Sequence, residues 1–222
     1  MAAFTSMRRV VAIDLPGHGG SAACPGEYTL DQLGGDVLTI ATEAGLARFD
    51  VCGISLGGLI GLWLAVNARD RVATLVVSNT AARIGSRGFW AERIRAVAEG
   101  GMAGVEAQVI PRFLSEDFSE RDPETFALVE EMFLAVDPAG YIGCCAALRD
   151  ADLSDDVRAI SCPTVIIAGD IDVATPPAEV ELLHGSISGS RLDTIPGAAH
   201  LASLDRKDVF TDLVVTALEE SR

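Results

Sequence analysis

A chain of 222 residues is long enough to bury one α/β core with a lid and too short for two full catalytic domains. Its formal charge of −15 argues against nucleic acid as a partner and repels small anions at long range, so an anionic substrate would need a local arginine. No apolar run reaches bilayer length and no basic-then-apolar signal opens the chain, so no membrane partner is expected. The five scattered cysteines read as buried small residues of a reducing cytoplasm, not as a disulfide framework.

In chain order, Val10–Ile13 reads as a strand and Thr29–Ala44 as a helix with Thr29 as its N-cap. Phe49–Cys52 is a short apolar strand, followed by Gly53-Ile54-Ser55-Leu56-Gly57 and an apolar helix from Leu59 to Ala65. Ala73–Val77 is a further strand. From Arg83 to Asp156 the β-pattern vanishes and charged helical segments take over; within them, adjacent Cys144 and Cys145 read as small packing residues. The strand-helix pattern resumes at Thr164, passes through the strand-like Arg191–Ile195, and closes on a helix around Lys207–Glu219. Alternating units of this kind predict a mostly parallel, doubly wound sheet with helices on both faces. The expected division is core over 1–82, helical cap over 83–156, and core again over 157–222. No repeats, low-complexity tracts or linkers interrupt it.

The chemistry concentrates at Gly53-x-Ser55-x-Gly57. A sharp strand-to-helix turn there exposes a serine hydroxyl at the carboxyl edge of the sheet, with Gly53 and Gly57 expected to relieve crowding. It also directs the Leu56 amide to the helix N-terminus, where an oxyanion would be stabilised. The bland alternative is a chance glycine-rich turn in which Ser55 merely caps a helix. A serine nucleophile needs a base, and the base needs an acid to orient it. In this fold type the order is serine, acid, histidine, which excludes His18. His184 lies near the C-terminal end of an amphipathic helix, where histidines commonly cap. His200 lies on a loop after a strand, the usual place for a catalytic group. Between serine and base, Gly169-Asp170-Ile171-Asp172 offers two aspartates, and spacing alone does not choose between them.

With these residues assembled, the chain resembles the α/β-hydrolase superfamily and, more narrowly, the 3-oxoadipate enol-lactonases of the protocatechuate catabolic route. Asp14-Leu15-Pro16-Gly17-His18-Gly19-Gly20-Ser21 and Cys52–Gly58 match superfamily motifs. Asp137–Asp150, the Asp170–Pro177 loop and Gly197–Leu201 favour the lactonases. The resemblance implies Asp172 as the acid, no metal or cofactor, and a small lactone or ester as substrate. It implies ring opening of an enol-lactone to 3-oxoadipate in aromatic-compound catabolism. Combined with the negative charge, it makes Arg149 the first candidate to meet the substrate carboxylate, followed by Arg83 and Arg87. It also implies three further strands and a helix before Val10–Ile13, the third strand lying inside the sheet and its loop donating a second oxyanion amide. Nothing in Met1–Arg9 could supply them. The chain is therefore expected to lack its N-terminal portion, and to be a poor enzyme of low stability as written. Other readings are a general esterase, a carbon-carbon bond hydrolase, or a non-catalytic remnant that binds ligands. Epoxide hydrolases and haloalkane dehalogenases are disfavoured, because they place a carboxylate where Ser55 stands.

Overall fold

Two β-branched runs, Val72–Ser78 and Thr164–Gly169, form the middle of the sheet in the computed structural model, which describes residues 2–220. Short helix α1 (Ala2–Thr5) precedes α2 (Leu30–Glu43), and β1 (Phe49–Ile54) leads into α3 (Leu56–Asn67) and β2 (Val72–Ser78). Among the described residues, five α-helices follow, with three short 3-10 turns around them: α4 (Arg87–Gly100), α5 (Glu106–Val109), α6 (Phe118–Arg121), α7 (Pro123–Leu134) and α8 (Pro138–Asp150). The chain then forms β3 (Thr164–Gly169), α9 (Pro177–Ser186), β4 (Arg191–Ile195), α10 (Ala202–Asp205) and α11 (Lys207–Glu220). The strands pair in parallel in the order β1-β2-β3-β4.

Period-two alternation sends neighbouring side chains of the middle strands to opposite faces. Leu75, Val77, Ile166 and Ala168 pack with α2, α3 and α9. Val76, Val165 and Ile167 pack with Phe210, Val214 and Ala217 of α11. Every residue of β3 is buried, as expected for a parallel strand covered on both faces. Between β2 and β3 the described residues are helical or irregular, with an apolar cluster of their own around Val97, Met102, Val105, Ile110 and Phe133. Helix α2 starts where its sequence says it should. Thr29 accepts from the Gln32 amide, and the Gln32 side chain returns to the Thr29 amide in a reciprocal cap.

Val10–Ile13 corrects the sequence expectation: it forms no strand. Strand geometry persists where a ladder satisfies the backbone, and among the described residues β1 pairs only with β2. The segment instead runs along the surface, leaving Val11 38% and Ile13 36% exposed. Arg8 tethers its start through an ion pair with Asp50 at 3.2 Å.

Register positions the site. Ile54 pairs with Ser78, Ser78 with Ile167, and Gly169 with Ile195, so the carboxyl ends of all four strands lie along one edge. The loops carrying Ser55, Asn79, Asp172 and His200 all leave from that edge, where open α/β sheets bind ligands. The helical segment is tied to two core loops by backbone hydrogen bonds from Asp137 to Gly17 (2.9 Å) and from Leu201, beside His200, to Phe113 (2.7 Å). Among the described residues, no single helix is long and apolar enough to cross a membrane.

Candidate active site

Ser55 occupies a backbone conformation that serine rarely adopts, with φ 53° and ψ −120°. Its surroundings hold it there. Its amide donates to the Ser78 carbonyl at 3.0 Å, and its carbonyl accepts from the Leu59 amide at 2.9 Å and the Thr80 hydroxyl at 2.8 Å. A Cβ at Gly53 would collide with the Gly57 carbonyl, so only glycine fits. A Cβ at Gly58 would come within 2.8 Å of Thr80. Gly57 corrects the expectation, because a Cβ there meets nothing within 4 Å. The crowding falls on Gly53 and Gly58 because the helix folds back over the strand, turning the Gly57 side-chain direction outward.

Ser55 precedes the first turn of α3, yet its hydroxyl makes no capping hydrogen bond. A serine placed merely to cap would use its oxygen on the amides two or three residues on. Here the oxygen makes no such bond, at the start of the helical turn that Leu56 opens.

Asp172 and His200 meet across adjacent loops. The His200 Nδ1 lies 2.9 Å from Asp172 Oδ2, and the two residues are 5% and 2% exposed. The same oxygen accepts from the Thr175 hydroxyl at 2.6 Å and the Asn79 amide group at 2.9 Å. The other carboxylate oxygen accepts the backbone amides of Ala174 at 2.7 Å and Thr175 at 3.1 Å. Burial pulls the Asp172 pKa upward, but the hydrogen bond and charge of His200, with those from Thr175 and Asn79, outweigh it and hold it at about 2. An ionised carboxylate only accepts, so Nδ1 carries a proton; in the neutral imidazole Nε2 then holds the lone pair that a hydroxyl needs. Ser55 Oγ and His200 are not hydrogen-bonded to each other in this structure; such contacts often tighten only around a substrate. Phe113 stacks on the imidazole at 5.9 Å and 24°, walling one side of the ring.

The other candidates go elsewhere. Asp170 accepts the Gly197 amide at 2.6 Å, a loop-shaping role, and His184 lies in the last turn of α9 with Nδ1 2.8 Å from the Ser190 hydroxyl. Each arginine expected to meet a substrate carboxylate already holds a protein one. Arg149 grips Glu27 through two bonds of 2.8 Å and Asp150 at 2.6 Å. Arg87 pairs with Asp150 at 2.8 Å and Arg83 with Asp152 at 3.6 Å. In a chain this acidic, carboxylates lie close at hand for surface arginines such as these.

Two supporting residues escaped the sequence reading. Asn79, fully buried at φ 46°, bridges Asp172 and the Ala199 carbonyl, while Ser78 donates to its side-chain oxygen at 2.6 Å. Its only sequence signal is an asparagine ending a strand, a residue that tolerates left-handed backbone. Asp205 accepts the Ala199 amide at 2.8 Å, the Ser115 amide at 2.9 Å and the Ser115 hydroxyl at 2.6 Å, tying the histidine loop to the helical segment.

The alpha/beta hydrolase family model matches residues 2–213. A 3-oxoadipate enol-lactonase of Acinetobacter baylyi is 35% identical over 214 residues, covering 96% of this chain and 79% of that protein. The crystal structure of the enol-lactonase from Burkholderia xenovorans superposes with a TM-score of 0.91 at 38% identity, covering 93% of this chain and 79% of that one. A thermophilic esterase from Thermogutta terrifontis, solved with malate bound, gives a TM-score of 0.88 at 28% identity over 94% of this chain and 78% of its own. The strand edge, the strained serine and the family match agree: this chain belongs to the alpha/beta hydrolase family.

Proposed function

We propose that the chain hydrolyses a carboxylic ester through Ser55, His200 and Asp172, and that the ester is an enol-lactone of the 3-oxoadipate type. The observation that carries the chemistry is the Asp172–His200 hydrogen bond of 2.9 Å, made on the sheet edge where Ser55 presents an uncapped hydroxyl. His200 Nε2 takes the Ser55 proton as Oγ attacks the lactone carbonyl, and Asp172 steadies the imidazolium that forms. The Leu56 amide, at the positive end of α3, faces the developing oxyanion. Collapse expels the enol, which takes a proton and tautomerises to the ketone. Water activated by the same histidine then attacks the acyl-serine and releases the acid. Likeness to the two enol-lactonases supports the choice of ester. The five free cysteines favour the cytoplasm as the place of reaction.

A simple acyclic ester is the second reading, favoured by the likeness to the Thermogutta esterase. Both are tested by comparing kcat/KM for an enol-lactone with that for an acyclic ester of equal size. We expect the lactone to be preferred. Ser55→Ala and His200→Ala should lower kcat on either substrate by at least about a thousandfold, with a smaller loss for Asp172→Asn. Preference for the acyclic ester would discard the lactone reading, and an active Ser55→Ala would discard the nucleophile.

A further inference from the structure

Arg93 is the one arginine among the described residues that is fully buried, at 6% exposure. Unlike Arg83, Arg87 and Arg149, it has no carboxylate within 4.0 Å among those residues. Its hydrogen-bond partner is the Tyr141 hydroxyl at a long 3.4 Å, and its guanidinium lies 5.3 Å from the centre of the Phe89 ring. Neither neighbour carries a negative charge. Burial pushes the Tyr141 hydroxyl up to about 12, so it remains a neutral donor or acceptor at working pH. Removing a guanidinium from water without an anion is costly, and the cation–π contact offsets only part of that cost. An anion arriving beside Arg93 would find a largely buried cation whose free donors still reach open space.

The position suits a substrate of the site already described. A run of rings leads from the catalytic histidine to Arg93. His200 stacks on Phe113, Phe113 meets Phe133 edge-on at 6.2 Å, Phe133 meets Tyr141 at 5.9 Å, and Tyr141 reaches Arg93. On the other side, Arg112 shares the Phe89 ring at 5.3 Å and donates to the Val173 carbonyl at 3.1 Å, one residue beyond Asp172. Arg93 is thus joined to the acid-base loops by two separate routes through the helical segment. The chain's overall charge of −15 repels anions at long range, so a substrate carboxylate needs a local cation of this kind.

We propose that Arg93, with the Tyr141 hydroxyl beside it, is the anion subsite of this active site and receives the free carboxylate of a lactone or ester whose reacting carbonyl lies at Ser55. This rests on the ester-hydrolase reading for the second half of that statement. The substrate class is accordingly anionic esters and lactones bearing one carboxylate remote from the bond that breaks. Arg149, Arg87 and Arg83 are poor alternatives, because an incoming carboxylate would have to displace one already bound there.

The test has a binding arm and a kinetic arm. Adipate, an unreactive dicarboxylate, is titrated calorimetrically into the unaltered chain, Arg93→Met, Arg93→Lys and Arg95→Met, the last an exposed position on the same helix. We expect binding to the unaltered chain, weakening of at least about tenfold in Arg93→Met, partial recovery in Arg93→Lys, and no change in Arg95→Met. In the kinetic arm, kcat/KM for a carboxylated lactone should fall at least about tenfold further in Arg93→Met than kcat/KM for its methyl ester. Thermal melts establish that each variant is folded. Should Arg93→Met unfold, Arg93→Gln, which keeps donors without the charge, carries both arms. Adipate binding unaffected by Arg93, no adipate binding at all, or equal kinetic losses on the two substrates would each overturn the subsite. Absence of turnover on every ester, with adipate binding still dependent on Arg93, would overturn the hydrolase reading and leave the anion subsite standing.

Discussion

Asp172 gathers five hydrogen bonds at a buried position, and this makes it sensitive to pH in a particular direction. Its folded pKa of about 2 lies below the unfolded value of about 3.9, so the stabilisation it contributes is fully present above that unfolded value. It is lost as pH falls from about 4 through 2, and amounts to roughly 2 kcal/mol. Urea midpoints measured across that window should fall more steeply for the unaltered chain than for Asp172→Asn. Parallel curves would mean that the Asp172 carboxylate is not held as described. The same cluster explains what spacing left open. Asp170 and Asp172 stand two residues apart on one loop, and only the direction in which each side chain leaves the backbone sends one to Gly197 and the other to His200.

At the scale of the element, the turn between β1 and α3 shows how little of a motif is geometrically compulsory. The helix doubles back so tightly that Gly53 touches backbone, and backbone cannot move aside as a side-chain tip can. Gly53→Ala should therefore displace Ser55 and its Leu56 amide, lowering kcat by at least about a hundredfold, since loss of an oxyanion donor alone costs that much. Gly57→Ala faces open space and should retain activity within a few-fold, with unchanged or slightly raised stability from the better helix propensity of alanine. Steady-state kinetics and melts on the pair separate the two positions. Similar losses in both would refute the asymmetry.

Across the whole molecule, the helical segment and the sheet edge are held as one by few polar links, and Asp205 is the most buried of them. Its side chain is fully buried, carries the Ser115 and Ala199 amides, and pairs with Arg121 at 3.1 Å. Asp205→Ala leaves those donors unpaired, which costs about 1–3 kcal/mol for each buried group. The expected result is a lowered melting temperature and faster hydrogen exchange at both Ser115 and Ala199. Exchange rising at one alone would mean that Asp205 does not couple the two parts.

The sequence by itself determined the elements and the family. Period-two and helical patterns, the Thr29–Gln32 cap and the glycine-serine turn are local properties, written within a few residues of where they act. The parallel sheet with helices on both faces followed from the order of those elements. Val10–Ile13 marks where local reading stops, because a strand exists only when another backbone lies beside it, and that neighbour is a fact of the whole fold. Side-chain partners were decided the same way. Asn79 and Asp205 lie far in sequence from residues they hold, at separations of 93 and 90 respectively. Arg149, expected to await a substrate, reaches across 122 residues to Glu27, while Arg93, unremarkable in sequence, is left buried without a counter-charge among the described residues. Such pairings depend on which loops the strand register brings to one edge, and no window of sequence contains that register.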